Sequence, residues 1–230
     1  YQYAYIPYSI MLSLAISGIP LAVSKFVAKY NAVGDYETGR RLLRSSTKIM
    51  VLSGLLAFLF LYVMATPIAH LVINDDDQIY TVQDVAEVIR WVSFALIVVP
   101  FMSLLRGFFQ GNGHYLPTSV SQLIEQIARI IILLSGSFIM VVILDKDVKI
   151  AINFAVFAAF IGAIAGLIVL LHYWKKLKPS FDLNLQQGIS PVEKQPLSDI
   201  YKEILKYSIP IVFVGLANPL FQAIDMITFN

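Results

Sequence analysis

The sequence predicts an all-α fold, a polytopic membrane helical bundle, and three observations carry that reading. Of the 230 residues, 58% are hydrophobic and only 14% are charged, whereas soluble domains average about 25% charged residues. Mean hydropathy over the chain is +0.73. The apolar residues gather into six runs, approximately 3–29, 45–73, 86–110, 116–144, 150–174 and 204–230. Each is near or above the roughly 20 residues that cross a bilayer.

The first run contains Ser17-Gly18-Ile19-Pro20 and ends with Lys25 and Lys29. Lys25 reads in two ways, as a side chain snorkelling to the interface or as a cation facing an internal cavity. Gly34 ends this helix, and Asp35 can cap a short cytoplasmic helix, YETGRRLLRSS, whose basic face suits anionic membrane lipids. The second join, Asn74 to Gln83, carries Asp75, Asp76 and Asp77. Three consecutive acids lack the spacing of a cation loop, so the join reads as a solvated loop and no metal site is expected. Thr81 and Asp84 have the spacing of an N-cap and N3 pair for the third run, with Asp84 and Glu87 near its positive end. That run closes on Arg106, Gly107, Gln110 and Gly111, and Arg106 reads as a cytoplasmic anchor.

The fourth run carries charge where lipid would forbid it. Starting its helix at Pro117 puts Thr118, Gln122, Glu125 and Arg129 on one face. Glu125 then lies roughly 12 Å in and Arg129 roughly 18 Å in, at about 1.5 Å per residue. The hydrocarbon core is about 30 Å thick, which sets Arg129 near its middle. Ionisable residues at that depth face a bundle interior or a wet cavity and mark a functional path. Glu125 precedes Arg129 by four, the favourable order for a helical ion pair, and the bland alternative is simple mutual neutralisation.

The long polar join 175–203, punctuated by Pro179, Gly188, Pro191 and Pro196, divides the chain. It separates five helices (1–174) from a sixth (204–230) and reads as a cytoplasmic linker between two halves. In the sixth helix Asp225 lies roughly 28 Å beyond Lys206, either a coupling carboxylate or an interfacial residue. Pro20, Pro67, Pro100, Pro210 and Pro219 fall inside apolar runs. Each removes an N–H and disturbs the carbonyl four residues earlier, which suits helices that bend.

Lys and Arg set the orientation. Lys25, Lys29, Arg40, Arg41, Arg44 and Lys48 flank the first join, Arg106 the third, and Lys175, Lys176, Lys178, Lys194, Lys202 and Lys206 the long join. Only Arg90, Lys146 and Lys149 flank the alternate joins. Loops 30–44, 111–115 and 175–203 are therefore expected in the cytoplasm, and loops 74–84 and 145–149 outside. There is no cysteine, which excludes disulfides and thiolate chemistry. His70, His114 and His172 fall in unrelated segments. No P-loop, GxSxG or HExxH occurs. No cofactor and no nucleic-acid partner are expected, and energy would come from an ion gradient, the membrane potential or consumption of product.

Three stretches carry a family likeness: SGIPLAVSKFVAKYNAVGDYETGRRLL (17–43), RGFFQGNGHYLPTSVSQLIEQIAR (106–129) and IPIVFVGLANPLFQAID (209–225). The chain resembles the polysaccharide-exporter branch of the multidrug/oligosaccharidyl-lipid/polysaccharide flippase superfamily. Within it the likeness is to Gram-positive-type lipid II flippases and the sporulation stage V protein B group. The middle stretch is the most specific of the three. The resemblance implies a bacterial plasma-membrane transporter of about 14 helices in two lobes that open alternately about a midplane site. This chain would then be a piece of a longer protein, running from its second helix into its seventh.

The implied substrate is an undecaprenyl-pyrophosphate-linked oligosaccharide, held by basic cavity residues. Lys25 and Arg129 match that role here, with Glu125 and Gln122 orienting Arg129 or contacting sugar. Asp225, Gly18, Pro20 and Pro100 are coupling or gating candidates, and cell-wall synthesis machinery is an implied partner. A multidrug cation antiporter of the same superfamily would favour acidic and aromatic cavity residues instead. A membrane-embedded enzyme on polyprenyl phosphates would need acidic metal ligands at a membrane face, for which only Asp75–Asp77 stand available. A scaffold of a division complex would need no charged stripe at all.

Overall fold

The computed structural model describes residues 2–16, 18–72, 81–143, 145, 148–188 and 196–228. The described residues form helices α1 (Gln2–Ile16), α2 (Ile19–Ala32), α3 (Tyr36–Val72), α4 (Val82–Ser93), α5 (Ala95–Gly111), α6 (Tyr115–Phe138), α7 (Val148–Gln187) and α8 (Leu197–Thr228). A π-helical turn, Ile139–Ile143, continues α6. These make six spans: α1 with α2, α3, α4 with α5, α6, α7, and α8. The acidic run Asp75–Asp77 lies outside the described residues.

Two spans are each made of two helices. In the first run α1 is described to Ile16 and α2 begins at Ile19, next to Gly18, whose φ of 90° is open to glycine and strained for other residues. Pro20 does not bend a continuous helix there. It sits in the first turn of α2, where its missing N–H costs nothing. In the third run α4 hands over to α5 at Phe94. Thr81 and Asp84 form the expected capping box, exchanging hydrogen bonds of 3.0 and 3.2 Å.

Two boundaries differ from expectation. YETGRRLLRSS is not a separate helix: Asp35 accepts from the Thr38 N–H at 3.0 Å, and the helix then continues to Val72. The stretch from Arg40 to Ser53 holds neither glycine nor proline, so nothing stops it. Likewise α7 passes Pro179 and ends only at Gln187, so much of the long join is helical. At 37 and 40 residues, α3 and α7 are roughly 55 and 60 Å long, and both outreach the bilayer.

The overhanging ends are tied together. Arg40 pairs with Asp182, and the Asn31 amide donates to Asn112 at 2.9 Å. Tyr201 bonds Ser45 and Ser46 at 2.6 and 3.1 Å. Phe108, Trp174 and Phe181 meet in tilted and edge-on contacts with ring centroids 5.6–5.8 Å apart. The three basic joins thus gather at one end, as alternating crossings require. One buried cluster, around Phe26, Leu42, Leu104, Phe109 and Leu170, fills that half of the bundle. Another, around Leu61, Ala65, Ile89 and Leu96, fills the other half.

Between membrane helices there is no water to expel, so close backbone approach does the packing. Gly107 and Gly111 of α5 lie against the carbonyls of Pro20 and Ser24 of α2. Gly162 and Gly166 of α7 lie against the backbone of Glu125 and Ser121 of α6. Gly54 of α3 meets the Leu96 carbonyl, the acceptor that Pro100 leaves without its helical donor.

Candidate functional site

The charge in the fourth span is a triad of one acid and two bases. Glu125 offers one carboxylate oxygen to the Arg106 guanidinium and the other to Arg129, each at 2.8 Å. Arg106 also donates to the Ser121 hydroxyl at 2.8 Å, and Ser121 donates onward to the Gly166 carbonyl at 3.0 Å. Glu125 is buried, and α7 closes over it because Gly162 and Gly166 carry no side chain.

Helix geometry explains the convergence. Side chains lean towards the N-terminus of their own helix. Arg106, five residues before the end of α5, therefore leans into the membrane, away from the nearby interface. Arg129 leans back along the antiparallel α6 towards Glu125. The expectation of Arg106 as an outward anchor is thus corrected: its side chain is only 13% exposed and is committed to Glu125 and Ser121.

One carboxylate between two guanidiniums leaves the cluster with one positive charge in excess. Arg129 is the open member. Its side chain is 34% exposed, although its Nε is buried and has no hydrogen-bond partner among the described residues. Around it α6 turns a polar stripe outward, with Ser119, Gln122 and Gln126 exposed amid Leu123, Ile127 and Ile130. The predicted single face therefore divides: Thr118 and Glu125 turn inward, while Gln122 stays outside. Gln126 was not singled out from the sequence, although it stands four residues after Gln122 and three before Arg129.

The structure does not bring the other candidates to this cluster. Lys25 is exposed on α2, with its ammonium 3.8 Å from the ring centroid of Tyr207 on α8. Asp225 is exposed near the end of α8. Gly18 packs on Ser208 of α8, and Pro20 and Pro100 stand at helix–helix contacts on α2 and α5. Gly107 and Gly111 are packing residues, and the Gln110 carbonyl accepts from the Gly113 N–H at 2.9 Å in the turn after α5.

Six apolar spans around a charged cluster at membrane depth define a multi-pass helical membrane protein. Residues 1–230, the whole chain, match the family described as polysaccharide biosynthesis protein, and the chain belongs to that family. It is 46% identical over 231 residues to the "Lipid II flippase MurJ" of Bacillus subtilis (strain 168), covering 100% of this chain and 42% of that relative. It is 31% identical over 227 residues to the "Uncharacterized membrane protein YabM" of the same organism, covering 98% and 39%. With "Stage V sporulation protein B", also of that organism, it shares 26% over 216 residues, covering 90% and 38%. The chain thus spans about two-fifths of the length of these curated relatives. No solved structure matches. With its six spans and this kinship, the chain is a multi-pass protein of the bacterial plasma membrane.

Proposed function

We propose that the full-length protein is a transporter, not an enzyme, which flips a lipid-linked oligosaccharide precursor from the inner to the outer leaflet. Lipid II, the undecaprenyl-pyrophosphate-linked peptidoglycan precursor, is the substrate favoured by the 46% identical relative. The observation that carries the reading is the guanidinium-bearing side chain of Arg129, one-third exposed beside Gln122 and Gln126 while held to Glu125. A stripe of that kind is costly against lipid and is expected to line a wet path. A pyrophosphate crossing the membrane needs its charge met, and a guanidinium fork suits phosphate oxygens. Flanking amides add donors and acceptors for sugar. Rocking of two lobes about this level supplies alternating access. Anionic lipids at the basic cytoplasmic face, and the cell-wall machinery that consumes the product, are the partners that follow.

Depleting the full-length protein in its own cell, with any paralogue removed, tests the substrate. Mass spectrometry is expected to show the undecaprenyl-linked disaccharide-peptide building up on the cytoplasmic leaflet. A different repeat unit would reassign the polysaccharide, and no build-up would favour a drug-exporting antiporter. Arg129→Gln is expected to lower transport at least about tenfold with normal membrane levels, since a charge-assisted phosphate contact is lost. Arg129→Lys keeps the charge without the planar fork and should fall between. Unchanged transport in Arg129→Gln would remove Arg129 from the substrate path.

A further inference from the structure

A second cationic feature lies at the cytoplasmic end and shares no residue with the triad. Arg41, Arg44 and Lys48 stand at i, i+3 and i+7 on α3, hence on one face. They line a cleft of about 800 Å³ between α3, α5, α7 and the start of α8, and no residue of α6 lines it. Its lining joins these three cations to apolar residues, Phe101, Leu171 and Trp174 among them.

The three cations are short of partners. None forms an ion pair among the described residues, and no carboxylate is among the described residues lining the cleft. Arg41 goes further, because its Nη1 is buried with no hydrogen-bond partner among those residues. A buried guanidinium nitrogen left without an acceptor is costly, so a small turn of the Arg41 side chain towards an anion in the cleft would be favoured.

The depth of these groups decides what kind of anion fits. Arg41 and Arg44 are the sixth and ninth residues of α3, ahead of its apolar stretch, a place expected near the headgroups of the cytoplasmic leaflet, and the same cleft is lined by Ile49, Phe101 and Leu171. A soluble anion would use the cations and leave the apolar lining wet. An amphiphile with a phosphate at the interface and an acyl chain below satisfies both. We propose that this cleft is a binding site for one anionic phospholipid of the cytoplasmic leaflet. A bilayer phospholipid is favoured over the transported lipid because the leaflet presents it continuously, and because no residue of α6, which carries Arg129, lines the cleft. The site does not depend on the proposed transport function.

Trp174 gives a direct readout, because it lines the cleft itself. The test uses the full-length protein with Trp174 as its sole tryptophan, in phosphatidylcholine nanodiscs doped with phosphatidylglycerol brominated on its acyl chains. Half-maximal quenching is expected at a mole fraction at least about tenfold below that needed with brominated phosphatidylcholine. Equal quenching by the two lipids would overturn the site. Arg41→Gln with Arg44→Gln is expected to bring the two curves together, and a selectivity that survives this pair would overturn it as well. Should that pair not fold, Lys48→Gln alone, at an exposed position, is expected to narrow the gap severalfold, and an unmoved gap counts against the site. Glycerol phosphate added in excess is expected to leave quenching in place; displacement by it would locate the affinity in a free phosphate and overturn the lipid assignment.

Discussion

Glu125→Gln is expected to be the most damaging single replacement in the chain. The carboxylate is the only acid of its cluster among the described residues, and each oxygen serves one guanidinium at 2.8 Å. Removing its charge leaves Arg106 and Arg129 facing one another at membrane depth with no counter-charge. Breaking a buried ion pair by removing one partner costs about 3–5 kcal/mol, and here one removal strands two cations. The full-length variant should reach the membrane at a small fraction of the wild-type level and unfold earlier in detergent. Arg106→Gln should behave differently, because it leaves the neutral Glu125–Arg129 pair and an amide that can still reach Ser121. It is expected to fold and to bind an anionic substrate more weakly. Combining Arg106→Gln with Glu125→Gln should recover part of the lost membrane level, since only one unpaired cation then remains. A Glu125→Gln protein as stable as wild type would show that the carboxylate does not hold the two arginines.

Much of this arrangement was open to inspection in the sequence, and the parts that were not have physical reasons. Run length and composition suffice for the six spans, because lipid demands apolar surface all round a helix. The pairing of Glu125 with Arg129 needs only the i, i+4 rule. Arg106 was misread because residues at the cytoplasmic ends of spans usually snorkel outward. The direction in which side chains lean on a helix was the available signal that it points inward. Spacing also places Thr118, Gln122 and Glu125 together, but it does not say where a neighbour will cover part of that face. That depends on Gly162 and Gly166 of α7, 37 and more residues away from Glu125. The helical course of Lys175–Gln187 was hidden by its polarity, which in a membrane protein resembles a loop until a partner such as Arg40 is seen across from Asp182.

Gly107→Ala is expected to cost nearly as much as a change in the charge cluster, though it adds a single methyl group. A Cβ built at Gly107 would stand 2.3 Å from the Pro20 carbonyl oxygen, and one at Gly111 would stand 2.6 Å from that of Ser24. Both obstacles are backbone atoms of α2, so no rotamer change relieves them and the two helices must separate. Overpacking of this kind costs about 1–3 kcal/mol in a close-packed interior. Here separation would also open the contacts that seat Phe26 and Val27 against α5. Gly39→Ala is the matched control, because it too lies in a helix but its nearest neighbour would be 3.6 Å away. There the alanine should be neutral or stabilising by up to about 1 kcal/mol, from helix propensity alone. Thermal unfolding of the two full-length variants side by side makes the comparison. If Gly107→Ala proves as stable as Gly39→Ala, the α2–α5 contact is looser than the structure has it. If it unfolds well below wild type while Gly39→Ala does not, the arginine-glycine-aromatic-glutamine-glycine stretch serves two ends within six residues. Its glycines let α2 approach, and that approach fixes the helix from which Arg106 reaches Glu125.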